Sequence, residues 1–150
     1  MILSGTIRIR PTPKQRPRLT KGGRARNPQK TRDAQRNQAF FFRLLSRKSE
    51  YNFPISPKLP LEITLKFFTK GGVAGQPKTT VPDTDNLCKL TLDAIVDSGI
   101  IRCDSQVTKL ILEDYWAGKG EESKIVFSIQ EHQNSLIEEI PVENTDRMAL

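Results

Sequence analysis

The chain has 150 residues, 36% of them hydrophobic, enough for one domain with a real core. It carries a net charge of +7, two cysteines, one histidine and no long apolar run, which excludes a transmembrane helix, a disulfide scaffold, a zinc site and a histidine-based mechanism. The charge is uneven: residues 1–50 hold 14 Lys/Arg against 2 Asp/Glu, and residues 51–150 hold 10 against 15, an arrangement suited to cationic groups that hold phosphates beside acids that hold a metal.

In chain order, Met1–Gly5 lacks the charged and apolar regions of a signal peptide, so the chain is placed in the cytoplasm with Cys88 and Cys103 reduced. Residues 2–9 alternate, with Leu3, Gly5, Ile7 and Ile9 on one side, and read as a strand that Pro11 and Pro13 end. Residues 11–30 are rich in Pro, Gly, Lys and Arg and read as an extended basic loop. Its Lys14, Arg16, Arg18, Lys21, Arg24 and Arg26 are assigned to nucleic-acid phosphates, because a merely solvated basic face would interleave Glu with Lys at helical spacing. A helix is expected over 31–48, capped by Thr31 with Asp33 in its first turn and Ala34, Gln38, Phe41 and Leu45 along its apolar stripe. At least two of Phe40, Phe41 and Phe42 are expected in the core, with the surplus ring left for a dimer contact or a stacking platform.

Residues 60–69 alternate with Leu61, Ile63, Leu65 and Phe67 inward, a strand followed by a loop over 70–82. A helix follows over 84–98, with Leu87, Leu90, Ala94 and Ile95 as its stripe and Gly99 at its end. Strands are expected over 105–116 and 124–131, the latter with Ile125, Phe127 and Ile129 inward. The tail 132–150 holds four acids and one arginine without a period and reads as mobile. The order βαβαββ implies an α+β fold, a mixed sheet with helices packed on it.

The chemistry centres on Asp83, Asp85 and Asp104. A fold that gathers carboxylates usually gathers them around a cation, and carboxylate-only sets suit Mg²⁺ or Mn²⁺ over zinc. Asp-x-Asp alone is weak evidence. An EF-hand would need Gly and Glu where Cys88 and Ala94 stand. Haloacid-dehalogenase-like phosphotransferases place the motif directly after a hydrophobic strand, whereas the loop here is polar; nucleotide-sugar transferases are longer than this chain.

The fuller pattern is far more specific. Pro82-Asp83-Thr84-Asp85-Asn86-Leu87, then Lys89, Asp93-Ala94, Gly99 and Asp104-Ser105-Gln106-Val107, closely resembles the RusA family of Holliday-junction resolvases. Upstream, Pro13-Lys14-Gln15-Arg16-Pro17-Arg18 resembles a segment of its phage and prophage members. The resemblance covers roughly residues 5–130, giving a nuclease domain over 1–131. Cys103 departs from it, standing where many members carry an additional acid; a soft thiolate matches Mg²⁺ poorly.

The resemblance implies an intertwined homodimer that resolves four-way DNA junctions by Mg²⁺-dependent phosphodiester hydrolysis, with Mn²⁺ as an alternative, in recombination and repair in a bacterial or phage-infected cell. Asp83, Asp85 and Asp104 would ligate the metal. Lys89, four residues after Asp85, would stabilise charge on the phosphate. Asp93 would orient Lys89, and Asn86 would bond backbone at the helix start. Two other readings share parts of this pattern: a broader nuclease for flaps or forks, and a non-catalytic DNA-binding protein, which needs no acid triad.

Overall fold

The computed structural model describes residues 1–135. Its elements are β1 (Leu3–Ile7), β2 (Arg18–Leu19), β3 (Ala25–Arg26), α1 (Gln29–Lys48), β4 (Leu61–Lys70), α2 (Thr84–Asp97), a 3₁₀ turn (Asp104–Gln106), β5 (Val107–Gly118) and β6 (Lys124–Glu131). The four long strands form one mixed sheet in the order β1-β6-β4-β5. β6 runs antiparallel to both β1 and β4, and β4 and β5 are parallel, joined through α2. The α+β expectation holds.

Alternation along β4 explains why one sheet face is covered. Leu61, Ile63, Leu65 and Phe67 are fully buried, while Glu62, Thr64 and Lys66 point to the more open face. Ile125, Phe127 and Ile129 of β6 and Leu3 and Ile7 of β1 continue the buried surface. α1 and α2 close it with Phe42, Leu87, Ala94 and Ile95, and Phe42 meets Phe127 edge-to-face at 5.0 Å. β1 can lie under α1 because Gly5 has no side chain: a Cβ there would stand 3.2 Å from Leu45 and 3.3 Å from Phe127. Gly99, at φ +84°, turns the chain after α2 in a conformation that L side chains rarely adopt.

Three expectations need correction. The basic stretch 11–30 is not wholly extended, for it folds back on itself as the β2–β3 ribbon across a turn at Gly22–Gly23. Thr31 does not cap α1. The helix begins two residues earlier after Pro28, whose lack of an N–H costs nothing at a helix start, and the buried Thr31 hydroxyl accepts the Gln15 N–H at 3.2 Å. Only Phe42 of the three phenylalanines is in the core; Phe40 and Phe41 are 52% and 38% exposed, because neighbouring helical residues point about 100° apart and one narrow stripe holds one of them. The expectation for the tail falls largely on residues 136–150, outside the described residues.

Candidate active site

Asp83 occupies the N-cap position of α2, and its carbonyl accepts the N–H groups of Asn86 and Leu87, both at 3.1 Å. Its carboxylate makes no capping bond and stays exposed. Asp85 lies in the first turn, also exposed, while Leu87 and Cys88 turn inward to anchor the helix. Both acids sit where the helix dipole favours negative charge. Lys89 reaches Asp85 at 3.7 Å, an exposed and loose pairing. Burial, with Asp85 nearby, pushes the Cys88 thiol up to about 11, so it stays protonated at neutral pH as part of the core.

The loop before Asp83 is fastened by residues that the sequence reading passed over. It runs antiparallel along the outer edge of β5: Gly75 N–H to Trp116 O at 3.0 Å, Trp116 N–H to Gln76 O at 2.9 Å, and Lys78 N–H to Asp114 O at 2.9 Å. Gly72 is required here, since a Cβ would collide with the Trp116 ring. The Lys78 ammonium is largely buried beside that ring, 5.3 Å from its centroid, and donates to the carbonyls of Thr80 at 2.8 Å and Val81 at 3.2 Å. It thereby holds the backbone that leads into Pro82-Asp83. Asp114 stands nearby. Burial pushes its carboxyl up, against the pull of Lys78 and a hydrogen bond from Thr84, and its Oδ1 is enclosed without a partner. The signal that could have found this pair is Lys78 itself, a charged residue within a Gly/Pro-rich loop ahead of the acid motif.

Asp104 opens the 3₁₀ turn before β5. The turn is pinned by buried Gln106, whose Nε2 donates to Ser56 O at 2.6 Å and Leu59 O at 3.0 Å. The Asp104 carboxylate is exposed and, among the described residues, meets the Cys103 thiol alone, 3.6 Å away; the thiol also accepts from the Ser105 hydroxyl at 3.1 Å.

The fold separates these acids. Val107 pairs with Leu61, so Asp104 lies at the end of the sheet where β4 and β5 begin. Thr84 lies instead beside Asp114, seven residue steps further along β5, or about 23 Å. The 14 residues of α2 span a similar distance, about 20 Å. Accordingly, among the described residues no three His, Cys, Asp or Glu side chains gather closely enough to hold a metal ion. Asp83 and Asp85 are brought together with Lys89; Asp104 is not brought to them within one chain. The donor chemistry suits a hard cation, but a three-carboxylate ion site does not fit a single chain.

Two other expected roles are taken differently. Asp93 accepts from Lys14 Nζ at 2.8 Å, not from Lys89, and this pair ties the start of the basic stretch to α2. Among the described residues Asn86 makes no side-chain hydrogen bond; its backbone carbonyl accepts the Lys14 N–H at 3.2 Å. Lys14 is therefore partly consumed in structure, whereas Arg16, Arg18, Lys21, Arg24 and Arg26 are exposed and form no ion pair among the described residues. Arg18 and Arg26 stand directly opposite each other in the β2–β3 ribbon. Like charges so placed repel, and an anion between them relieves the cost. Sequence reasoning also missed a second basic concavity, about 400 Å³, on α1, where Arg32, Arg36 and Arg43 surround exposed Phe40.

Among the described residues no helix is long and apolar enough to cross a membrane. No curated protein matches the chain. The family model described as endodeoxyribonuclease RusA matches residues 8–127, from just after β1 through the basic stretch and the acid motif into β6. With the exposed Asp83–Asp85 pair, the unpaired arginines and that match spanning most of its length, the chain belongs to the RusA endodeoxyribonuclease family.

Proposed function

We propose that the protein resolves four-way DNA junctions in recombination and repair, as a homodimeric, Mg²⁺-dependent endonuclease. The nuclease domain is residues 1–131, and Asp83, Asp85 and Asp104 are the acids on which hydrolysis depends. The observation that carries this reading is the exposed Asp83–Asp85 pair on the first turn of α2, uncapped and held by a fastened loop, in a chain of this family. Mg²⁺, or Mn²⁺ in its place, is the ion that carboxylate oxygens suit; bound there, it would offset phosphate charge during hydrolysis. The chain's own groups supply the rest. Lys89, exposed beside Asp85, offers an ammonium to the phosphate or the leaving oxygen. Lys78 keeps the Asp83 backbone in place. The β2–β3 ribbon supplies cations that hold the DNA backbone without reading sequence.

The test is incubation with synthetic four-way, three-way and linear duplex DNA, with and without Mg²⁺. Paired nicks in the four-way junction, lost in Asp83→Asn, Asp85→Asn and Asp104→Asn while binding persists, are the expected result. Equal cutting of all three substrates favours a broader branched-DNA nuclease. Metal-supported cutting by all three variants would remove the acids from the mechanism.

A further inference from the structure

α1 carries a stripe of side chains that neither the acid pair nor the basic ribbon uses. Arg32, Arg36, Phe40 and Arg43 follow one another at helical spacing and share one face of the helix. Like charges at this spacing destabilise a helix, and no acid of α1 offsets them. Asp33, the one acid in α1, accepts instead from Gln29 Nε2 at 2.7 Å. The three guanidiniums form no ion pair among the described residues. Arg32 donates to Asn27 O at 3.2 Å and to the Gln29 side chain, and Arg43 donates to Asp97 O at 3.1 Å. These neutral acceptors hold the side chains in place and leave their charge standing. The carboxylate of Asp97, which accepts from Gln35 Nε2 at 2.6 Å, sets one negative charge against three positive ones in the concavity.

Phe40 separates this surface from an ordinary solvated basic face. Its ring stands in the open among the arginines, braced edge-on by Phe41 at 5.6 Å between centroids. Beside it the small, buried Ala39 helps to leave a hollow of about 400 Å³. Arginines alone would serve the phosphates of any nucleic acid, but duplex DNA has no use for the ring, because its bases are stacked on one another. An unpaired strand offers both groups at once: phosphates for the guanidiniums and a free base face for the ring. The placement fits such a strand. Asn27, which lines the hollow, directly follows β3, so the basic ribbon runs into it. Asp97 ends α2, about 20 Å of helix from Asp83 at its start, so the hollow is separate from the acid pair.

We propose that the Arg32–Arg36–Phe40–Arg43 face of α1 is a binding site for single-stranded DNA, with one unpaired base stacked on Phe40 and its flanking phosphates held by the arginines. The inference goes beyond the resolution of four-way junctions and rests on the nuclease reading only in taking DNA as the partner. It predicts a preference for branched DNA that carries a single-stranded arm.

The test measures fluorescence anisotropy with three labelled probes, an oligothymidylate, a blunt duplex and a duplex with one single-stranded arm, in EDTA so that nothing is cut. Phe40→Ala is expected to weaken oligothymidylate binding at least about fivefold, the low end for one base on an aromatic ring, while blunt-duplex affinity changes less than twofold. Phe40→Trp should retain the affinity and Phe40→Leu should lose it, which separates stacking from apolar bulk. The wild type should favour the armed duplex over the blunt one, and Phe40→Ala should lose that preference. Arg36→Gln provides a second route, lowering the salt slope for the oligothymidylate by about 0.7. Phe40 is exposed, so the urea midpoint of Phe40→Ala should match the wild type. A wild type that does not bind the oligothymidylate, or a Phe40→Ala variant that binds all three probes as the wild type does, overturns the proposal. So does a Phe40→Ala variant whose mass by light scattering differs from the wild type, because the face would then be a contact between copies of the chain. Failure of the nuclease reading looks different: the wild type then cuts no DNA when a divalent ion is supplied, and the binding measurements, made without cleavage, still decide this inference.

Discussion

Neutralising Arg16 and Arg18 together tests whether the exposed cations of the basic ribbon contact DNA phosphates. Five of its cationic side chains, Arg16, Arg18, Lys21, Arg24 and Arg26, are exposed and unpaired, whereas Lys14 is held by Asp93 at 2.8 Å. If each of the five displaces counterions from one phosphate, each chain contributes about −4.5 to the slope of log K against log[salt], a drop of about 500-fold per chain engaged between 50 and 200 mM salt. The double Gln variant keeps three contacts per chain, about −2.7 in slope and a drop of only about 40-fold per chain over the same range. The measurement is fluorescence anisotropy of a labelled four-way junction in EDTA, which suppresses cleavage, over a salt series. Lys14→Gln is the control. Its ammonium is engaged within the protein, so the slope should stay near the wild-type value while stability falls by at most about 1 kcal/mol. Arg18→Gln carries a second signature, since it relieves repulsion from Arg26 across the ribbon and should not destabilise the fold while it weakens binding. An unchanged slope in the double variant, or an equal change in Lys14→Gln, refutes the division of the stretch into structural and DNA-holding cations.

Other consequences follow from specific contacts. Lys78→Met frees the carbonyls of Thr80 and Val81 and should lower the cleavage rate at least tenfold while junction affinity changes less than twofold; equal losses in both would mean the loop only supports the fold. Phe42→Ala empties the centre of the α1–sheet contact and should cost about 3–5 kcal/mol, read as a lower urea midpoint. Thiol labelling at pH 8 should modify Cys103 quickly and Cys88 only on unfolding, because Cys103 is exposed and Cys88 is buried with a raised pKa. The sign for stability follows: the folded state keeps the Cys88 proton longer, so its contribution is complete below pH 9.0 and is lost as pH rises toward about 11, an alkaline loss that Cys88→Ala should remove.

Much of the architecture was legible because it depends on local periodicity. The alternation of Leu61, Ile63, Leu65 and Phe67 decides which face of β4 is buried, and the spacing of Leu87, Leu90, Ala94 and Ile95 decides it for α2. The Asp83–Asp85 pair was legible for the same reason, since two acids at the start of a helix remain neighbours in any fold that keeps the helix. The partners of Lys14 and Lys78 were not legible, because Asp93, Trp116 and the far end of β5 meet them only through the sheet order. Nor could local pattern choose among Phe40, Phe41 and Phe42; the packing of α1 on the sheet, where Phe42 meets Phe127 edge-to-face, chose Phe42. Asp104 shows the boundary most clearly. Nineteen residues of spacing identify it beside Asp85, but spacing along a chain is not distance in space. The parallel β4–α2–β5 connection places one helix length between the two acids, a separation that only the tertiary structure decides.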